Sequence, residues 1–512
     1  MSPVSQSQRL PDKALTWVAY GLLVGLAAWL RLRGLAWGAP YVYHADEHYI
    51  LNAALHMVRE GTPNPGFFQY PSLLLYMQAS LVALLQPWLK VDLHIDPTAR
   101  GLGPWDVPPE HFPFILAGRA VVAVAGIASV ILLAWLWRRW FGSAAALLAT
   151  GLLAVSPLHV EHSHYLTTDV PAMLWVLLAL FWSAYGRDQP RALATAAVAA
   201  GLAASTKYPA GMVWLVVLVS AVSSQRPWQA VVVSFVCFVT AFALTSPYVV
   251  LDPRRAWADL SIVRHNYASG PWSPWNLWFY LSYLWHTALG PAASVLALVG
   301  MIVWWRSRSV GGGACRVAGA ALPWLYVVYL STWSVRFERN LLPVLPFALL
   351  FLGLAVARLE LVVVSGRRLR AVLALLFVAV AWLPLRHSEA LVERFLLPDT
   401  RTLALQWIEE HVPSGAHIAR EEYTPQVSGS RHRVTFVQVL GTRPYGWFLG
   451  EGVDYIVVSS LIYERYRQVP SIFGLYEFVF ALLPLVAEFQ PSATVAGPTI
   501  RIYQVPRWRD DS

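Results

Sequence analysis

A succession of apolar runs constrains this chain more than any other feature. Runs long enough to cross a hydrocarbon layer of roughly 30 Å as helices occur near residues 14–31, 113–137, 143–156, 171–185, 192–206, 210–224, 229–246, 277–305, 318–333, 341–358 and 371–386. They make about eleven spans, several of them short, and the run 277–305 reads either as one long tilted helix or as a helix with an interfacial segment. Backbone in lipid finds no water to bond, so each run must close its own hydrogen bonds as a helix. The expectation is an all-α polytopic membrane protein. Composition agrees, with 57% of residues hydrophobic and 13% charged, against roughly a quarter charged in soluble domains. Many of the 25 tryptophans fall near the ends of runs, where an indole anchors at headgroup level.

Charge then gives the runs a direction. Threading the chain with its N-terminus in the cytoplasm puts Arg9, Lys13, Arg138, Arg139, Arg187, Arg226, Arg306, Arg308 and Arg367 all inside, as the bias of cytoplasmic loops towards Lys and Arg requires. The net charge of +9 lies in short connections, not on one amphipathic face, which argues against a nucleic-acid partner. The first dozen residues are polar and no small-residue cleavage site follows the first run, so that run reads as a retained span. Cys237 in an apolar run and Cys315 in the basic loop around Gly311–Gly313 form no disulfide framework. The chain is placed in the plasma membrane.

With this threading, three long polar stretches face outward: residues 34–112, 247–276 and everything after about 387. The first is rich in Pro, Gly, His and aromatics and too long for a mere connector. Within it Glu47–Arg59 and Pro71–Leu89 read as juxtamembrane helices. The chain thus divides into a membrane domain, 1–386, and a small extracytoplasmic α/β domain, 387–512. In the latter, Asp399 or Thr400 caps a helix to about His411. Asp454–Ser459 reads as a buried strand, and Thr499–Val505 alternates like a terminal one. No internal repeat is apparent.

The sharpest chemical signal is His44-Ala45-Asp46-Glu47-His48-Tyr49, two adjacent carboxylates where a helix starts. A helix N-cap explains one of them. A pair beside a membrane surface, where carboxylates need partners, points to chemistry. A second signal runs from Pro157 through His164 to Asp169 and Pro171; its spacings match no standard zinc pattern, and Asp169 also suits the first turn of the following span. Arg119, Lys207, Arg336 and Arg339 stand outside against the charge bias. Snorkelling to lipid headgroups is one explanation, and an anionic ligand such as a phosphate is the other. As a group they favour phosphate. His265 in the second outer stretch is a lone loop histidine, either a ligand contact or an ordinary polar residue.

Taken in order, these residues resemble the C-type (GT-C) glycosyltransferases, in particular the glycosyltransferase family 39-like group of protein O-mannosyltransferases and aminoarabinose transferases. The resemblance is carried by Asp46-Glu47, Phe68-Gln69-Tyr70-Pro71-Ser72-Leu73, Gly118-Arg119, Ser156-Pro157 to Asp169, Ser205-Thr206-Lys207-Tyr208 and Arg336-Phe337-Glu338-Arg339-Asn340. It implies a GT-C fold, a polyprenyl- or dolichyl-phosphate sugar donor, and a lipid, glycan or protein acceptor. It further implies Asp46 as the base acting on the acceptor hydroxyl, with inversion at the anomeric carbon. Arg119, Lys207, Arg336 and Arg339 would hold the donor phosphate. Glu47 and Asp169 would orient hydroxyls or bind a divalent metal, and Tyr70, His164 and His265 would touch substrate. Aminoarabinose transferases carry Glu-Lys-Pro where Gln69-Tyr70-Pro71 stands, which puts metal dependence in question.

A lipid-linked-sugar transporter or flippase, or a non-catalytic envelope assembly protein, is the alternative. Transporters place ionisable residues at the midplane and show repeated halves; here the carboxylates cluster towards one membrane face. The sequence names neither sugar nor acceptor.

Overall fold

The computed structural model describes residues 13–95, 103, 106–268, 273–306, 313–362 and 366–506. Arg9, Arg308, Gly311 and Gly312, used above, lie outside the described residues. The chain divides into two compact units, one of residues 1–35, 50–85 and 117–392, the other of residues 36–49, 86–116 and 393–512. The long polar stretch 34–112 therefore supplies two pieces, 36–49 and 86–116, to the unit that holds residues 393–512.

The first unit is helical. Among the described residues six helices are long and apolar enough to span a bilayer: Ala14–Leu32, Pro109–Phe141, Asp169–Gly186, Pro227–Thr245, Glu338–Glu360 and Ala371–Leu396. A seventh arises if one bent pair counts as a span. Other expected runs form shorter apolar helices, such as Ser143–Val155 and Tyr208–Val222. At 1.5 Å of rise per residue a helix of 13 residues reaches only about 20 Å. Leu73–Leu89 is likewise one of the shorter helices, near the juxtamembrane helix expected at Pro71–Leu89.

The run 277–305 is broken into two helices and is not one long helix. The chain bends by 115° between Pro274–Ala288 and Pro291–Arg306. The cause is local: Leu284–Ala288 is a π-helical turn, Gly290 takes φ +80°, which suits a residue without Cβ, and Pro291 cannot continue the preceding helix. Ser156 Oγ donates to the freed Ala288 carbonyl at 3.0 Å.

Helices Asp169–Gly186, Pro190–Thr206 and Trp214–Val222 share a buried core of alanines and Val176, Leu193 and Val217, with Phe347 and Phe351 packed on it. Small side chains let these helices approach closely, as membrane helices must when packing rather than water drives association. Pro190–Thr206 stops at Lys207, whose backbone is extended at φ −151°, ψ 116°. An α-helix cannot run on through Pro209, which has no N–H for the Ser205 carbonyl and whose ring would clash with it.

The second unit is built on a five-stranded sheet of order β2-β1-β3-β5-β4, with β1 His417–Arg420, β2 Arg433–Phe436, β3 Tyr455–Ser459, β4 Leu485–Phe489 and β5 Ile500–Gln504. β1 runs parallel to β2 and β3, whereas β5 is antiparallel to β3 and β4. Side chains alternate between two cores. Ile418, Val457, Ile500 and Ile502 pack with Leu405 and Ile408 of helix Thr400–His411. Ala419, Ile456, Val458 and Tyr503 pack with Leu475, Tyr476 and Val479 of helix Pro470–Leu482. Coverage of both faces explains the unbroken apolar run of β3. The expected helix begins as read from sequence, with Asp399 Oδ1 accepting from Arg401 N at 2.9 Å.

Candidate active site

In the first unit, three separated connections converge on one buried ion pair. Asp169 opens helix Asp169–Gly186, where a negative charge complements the helix dipole. Lys207, leaving the end of Pro190–Thr206, donates from Nζ to Asp169 Oδ1 and, at 2.8 Å, to Asn340 Oδ1. The two charged side chains are 4% and 12% exposed respectively, so each depends on the other for compensation. Arg339, stacked 4.4 Å over the Phe337 ring, and His162 both act on the Asp169 charge.

Near the pair lies a small apolar pocket lined by side chains including Val176, Met212, Leu322, Pro343 and Phe347, together with Tyr326, on which the Asp169 charge acts. Pro209 and Pro343 of its lining follow Lys207 and Asn340 by two and three residues. Tyr326 is 4% exposed and its Oη has no hydrogen-bond partner among the described residues.

The other expected phosphate ligands are placed differently. Arg336 is exposed and stacks 5.3 Å over Phe279. Arg119 is fully buried and donates to the Leu35 carbonyl at 3.0 Å. His164 is buried between the carbonyls of Val160 and Arg33, at 2.9 and 3.0 Å. Burial is the main reason its imidazole is held neutral, down to about 4, against the opposing pull of those carbonyls. Its ring ties the 156–168 connection to the end of the first span. Gly118 has the same structural character, because a Cβ there would collide with Gln78 and Leu166.

Tyr70, half-buried, lies in a strap fixed at both ends. Phe68 N donates to Asp259 Oδ2 at 2.7 Å, Tyr208 Oη donates to the Phe68 carbonyl at 3.0 Å, and Ser72 N donates to Ser246 Oγ at 2.9 Å. Asp259 escapes sequence reasoning; its only signal is a carboxylate amid the arginines of helix Pro253–Ala268. His265 is exposed on that same helix.

Asp46 and Glu47 are described with the second unit, to which they belong. Asp46 is half-buried, its backbone N–H donating to His44 Nδ1 at 3.2 Å. Glu47 is fully buried in the first turn of helix Glu47–Glu60. Burial drives the His48 imidazole down to about 4, though Asp46 opposes this. Asp46 also acts on Glu422 and Tyr423, whose charged forms are disfavoured first by burial and then, among smaller causes, by this neighbouring carboxylate. Arg465 stands 5.7 Å over the Tyr423 ring, and Tyr423 adopts φ +60°, a conformation rare for a bulky residue.

Among the described residues no three His, Cys, Asp or Glu side chains come together as metal donors. The Asp169 carboxylate, the residue proposed for such a role in this unit, is engaged by Lys207.

Residues 115–251 match the family model described as dolichyl-phosphate-mannose-protein mannosyltransferase. The fold is similar to that of ArnT from Cupriavidus metallidurans bound to undecaprenyl phosphate, at 14% identity and a TM-score of 0.56, over 96% of this chain and 98% of that one. The chain has the GT-C fold. A second GT-C structure, AglB from Archaeoglobus fulgidus in complex with an inhibitory peptide and a dolichol-phosphate, aligns with a TM-score of 0.55 at 12% identity, over 91% of this chain and 72% of that one. No curated protein sequence matches the chain. Within the GT-C frame, the matched segment 115–251 contains Arg119, Asp169 and Lys207.

Proposed function

We propose that this GT-C protein is an inverting glycosyltransferase that moves a sugar from a polyprenyl-phosphate carrier to an acceptor hydroxyl on the extracytoplasmic side of the membrane. The observation that carries the reading is the Lys207–Asp169–Asn340 cluster, on whose Asp169 charge Arg339 also acts, close to the apolar pocket that Tyr326 lines. Lipid phosphates bound to ArnT and AglB support a donor of this class. The bias of Lys and Arg towards one set of connections supports the outer placement.

In the proposed reaction the acceptor oxygen attacks the anomeric carbon from the face opposite the phosphate. The bond between that carbon and the phosphate oxygen breaks, its electron pair leaves with the phosphate, and the acceptor proton passes to the Asp46 carboxylate. Phosphate is a good leaving group once its growing negative charge is met by cations, so it needs no proton donor. Lys207 and Arg339 are suited to that task, because preorganised charge in a water-poor site costs no reorganisation during reaction. Asp169 holds the Lys207 ammonium in place. Arg336, Tyr70 and His265 remain proposed contacts at the substrate's periphery, with Arg119 and His164 supporting the connections that carry the site.

The test is incubation of purified protein with a panel of polyprenyl-phosphate sugars and a total envelope extract, following release of free lipid phosphate. One donor of the panel is expected to turn over, and Asp46→Asn to lower kcat by about 10²–10⁴-fold with folding intact. Wild-type turnover by the folded Asp46→Asn variant removes Asp46 from the mechanism. Flipping of the lipid without cleavage of the sugar–phosphate bond favours the transporter reading.

A further inference from the structure

The segment that carries Asp46 is part of the C-terminal unit, and it is gripped there. Tyr43, 8% exposed, has the Arg401 guanidinium 3.8 Å above its ring. Its hydroxyl shares a hydrogen bond with Thr402 Oγ1 at 2.8 Å, and its carbonyl accepts from Arg401 Nη1 at 3.3 Å. Arg401 is in turn held flat by Asp399, through Nε to Oδ1 at 2.8 Å and Nη2 to Oδ2 at 2.7 Å. Asp399 is fixed because it caps the helix on which Arg401 sits. Tyr41 stacks on Tyr43 and packs on the core beneath the sheet.

Only His44 and Ala45 separate Tyr43 from Asp46, and helix Glu47–Glu60 begins at the next residue. Three residues reach at most about 10 Å, and the bond from Asp46 N–H to His44 Nδ1 closes a turn within that short span. Once the ring is clamped, the Asp46 backbone has little freedom. Glu422 and Tyr423, with Arg465 over the latter, face Asp46 from the same domain.

We propose that the C-terminal domain positions the reaction's base: Arg401 and Thr402, by clamping Tyr43, hold Asp46 in its working orientation. Arg401, Thr402 and Tyr43 are positioning residues, since none of them need touch substrate. The inference rests on the role proposed above for Asp46. It gives the tail a task in the chemical step, distinct from that of a lid or an acceptor platform.

Misplacing a catalytic group by about 1 Å costs around 100-fold in rate. Tyr43→Ala is therefore expected to lower kcat about 10–100-fold per folded enzyme, with the KM for the polyprenyl-phosphate sugar within about two-fold of wild type. Tyr43→Phe keeps the ring under the guanidinium and is expected to restore most of the rate. Arg401→Lys loses both the planar stack and the paired bonds to Asp399, and is expected to behave like Tyr43→Ala. It also serves as the second variant should Tyr43→Ala fail to fold. Folded protein is counted by size-exclusion chromatography, so a purely structural role shows as lost protein at unchanged kcat, which overturns the inference. Wild-type kcat in folded Tyr43→Ala or Arg401→Lys overturns it as well. Asp46→Asn is run in parallel. If Asp46→Asn is active, the role of Asp46 fails; if it is inactive while the clamp variants work normally, only the clamp fails.

Discussion

Replacing Lys207 with methionine leaves the Asp169 carboxylate, only 4% exposed, without its nearest cation. Breaking a buried pair from one side costs about 3–5 kcal/mol, because the remaining charge stays desolvated. Asp169→Asn strands the ammonium instead, at a cost of similar order, softened by the 2.8 Å bond to Asn340 Oδ1. Removing both charges together removes the penalty, so Asp169→Asn/Lys207→Met is expected to recover stability to within roughly 1–2 kcal/mol of wild type. Function is expected not to recover. If Lys207 meets the donor phosphate, the double variant still lacks a charge-assisted hydrogen bond of about 1.5–3 kcal/mol, or roughly 10–150-fold in affinity for the donor. The assay is a double-mutant cycle read twice, by thermal unfolding in detergent and by the KM for a polyprenyl-phosphate sugar. A double variant that recovers both stability and donor KM would show that Lys207 only neutralises Asp169, and the donor-binding reading would fall.

Two further outcomes follow from buried groups elsewhere. Glu421 is fully buried, and burial pushes its carboxyl up to about 8, although Tyr476, Ser459 N and Leu440 N all donate to it. The folded unit then keeps a proton that the unfolded chain releases near 4.5, so stability is full below that pH, falls as pH rises, and levels off above about 8. The tail's unfolding temperature in the full-length protein is expected to drop between pH 5 and 9, and Glu421→Gln to flatten that slope; a wild-type profile that is flat or rising refutes the assignment. Gly118→Ala drives a methyl into Gln78 and Leu166 and is expected to cost about 1–3 kcal/mol, visible as a lowered unfolding temperature; no change would mean that these side chains move aside freely.

How far the sequence reaches can be judged element by element. Apolar runs announce helices because the period and the composition are local, and helix Thr400–His411 is legible from its cap for the same reason. β1 is not. Its residues His-Ile-Ala-Arg carry two polar side chains, yet all four are buried, since His417 bonds Thr435 and the Glu451 carbonyl while Arg420 pairs with Asp106 and stacks on Phe436. Burial of a polar residue depends on partners that no window of sequence contains. The bent Pro274–Ala288 and Pro291–Arg306 pair lies between these cases, with Gly290 and Pro291 marking the break but not its 115°.

The same division runs through the site. Sequence alone determined which residues are available: Asp46 before a helix, Asp169 at the head of a span, Lys207 ahead of a proline, Arg339 and Asn340 before a late helix. Tertiary structure alone decided that Lys207 closes on Asp169, 38 residues away, and on Asn340, 133 residues away, and that Tyr43 sits under Arg401, 358 residues on. Periodicity and capping are written in neighbours along the chain, whereas a charge finds its counter-charge only when packing excludes water and leaves it no other partner.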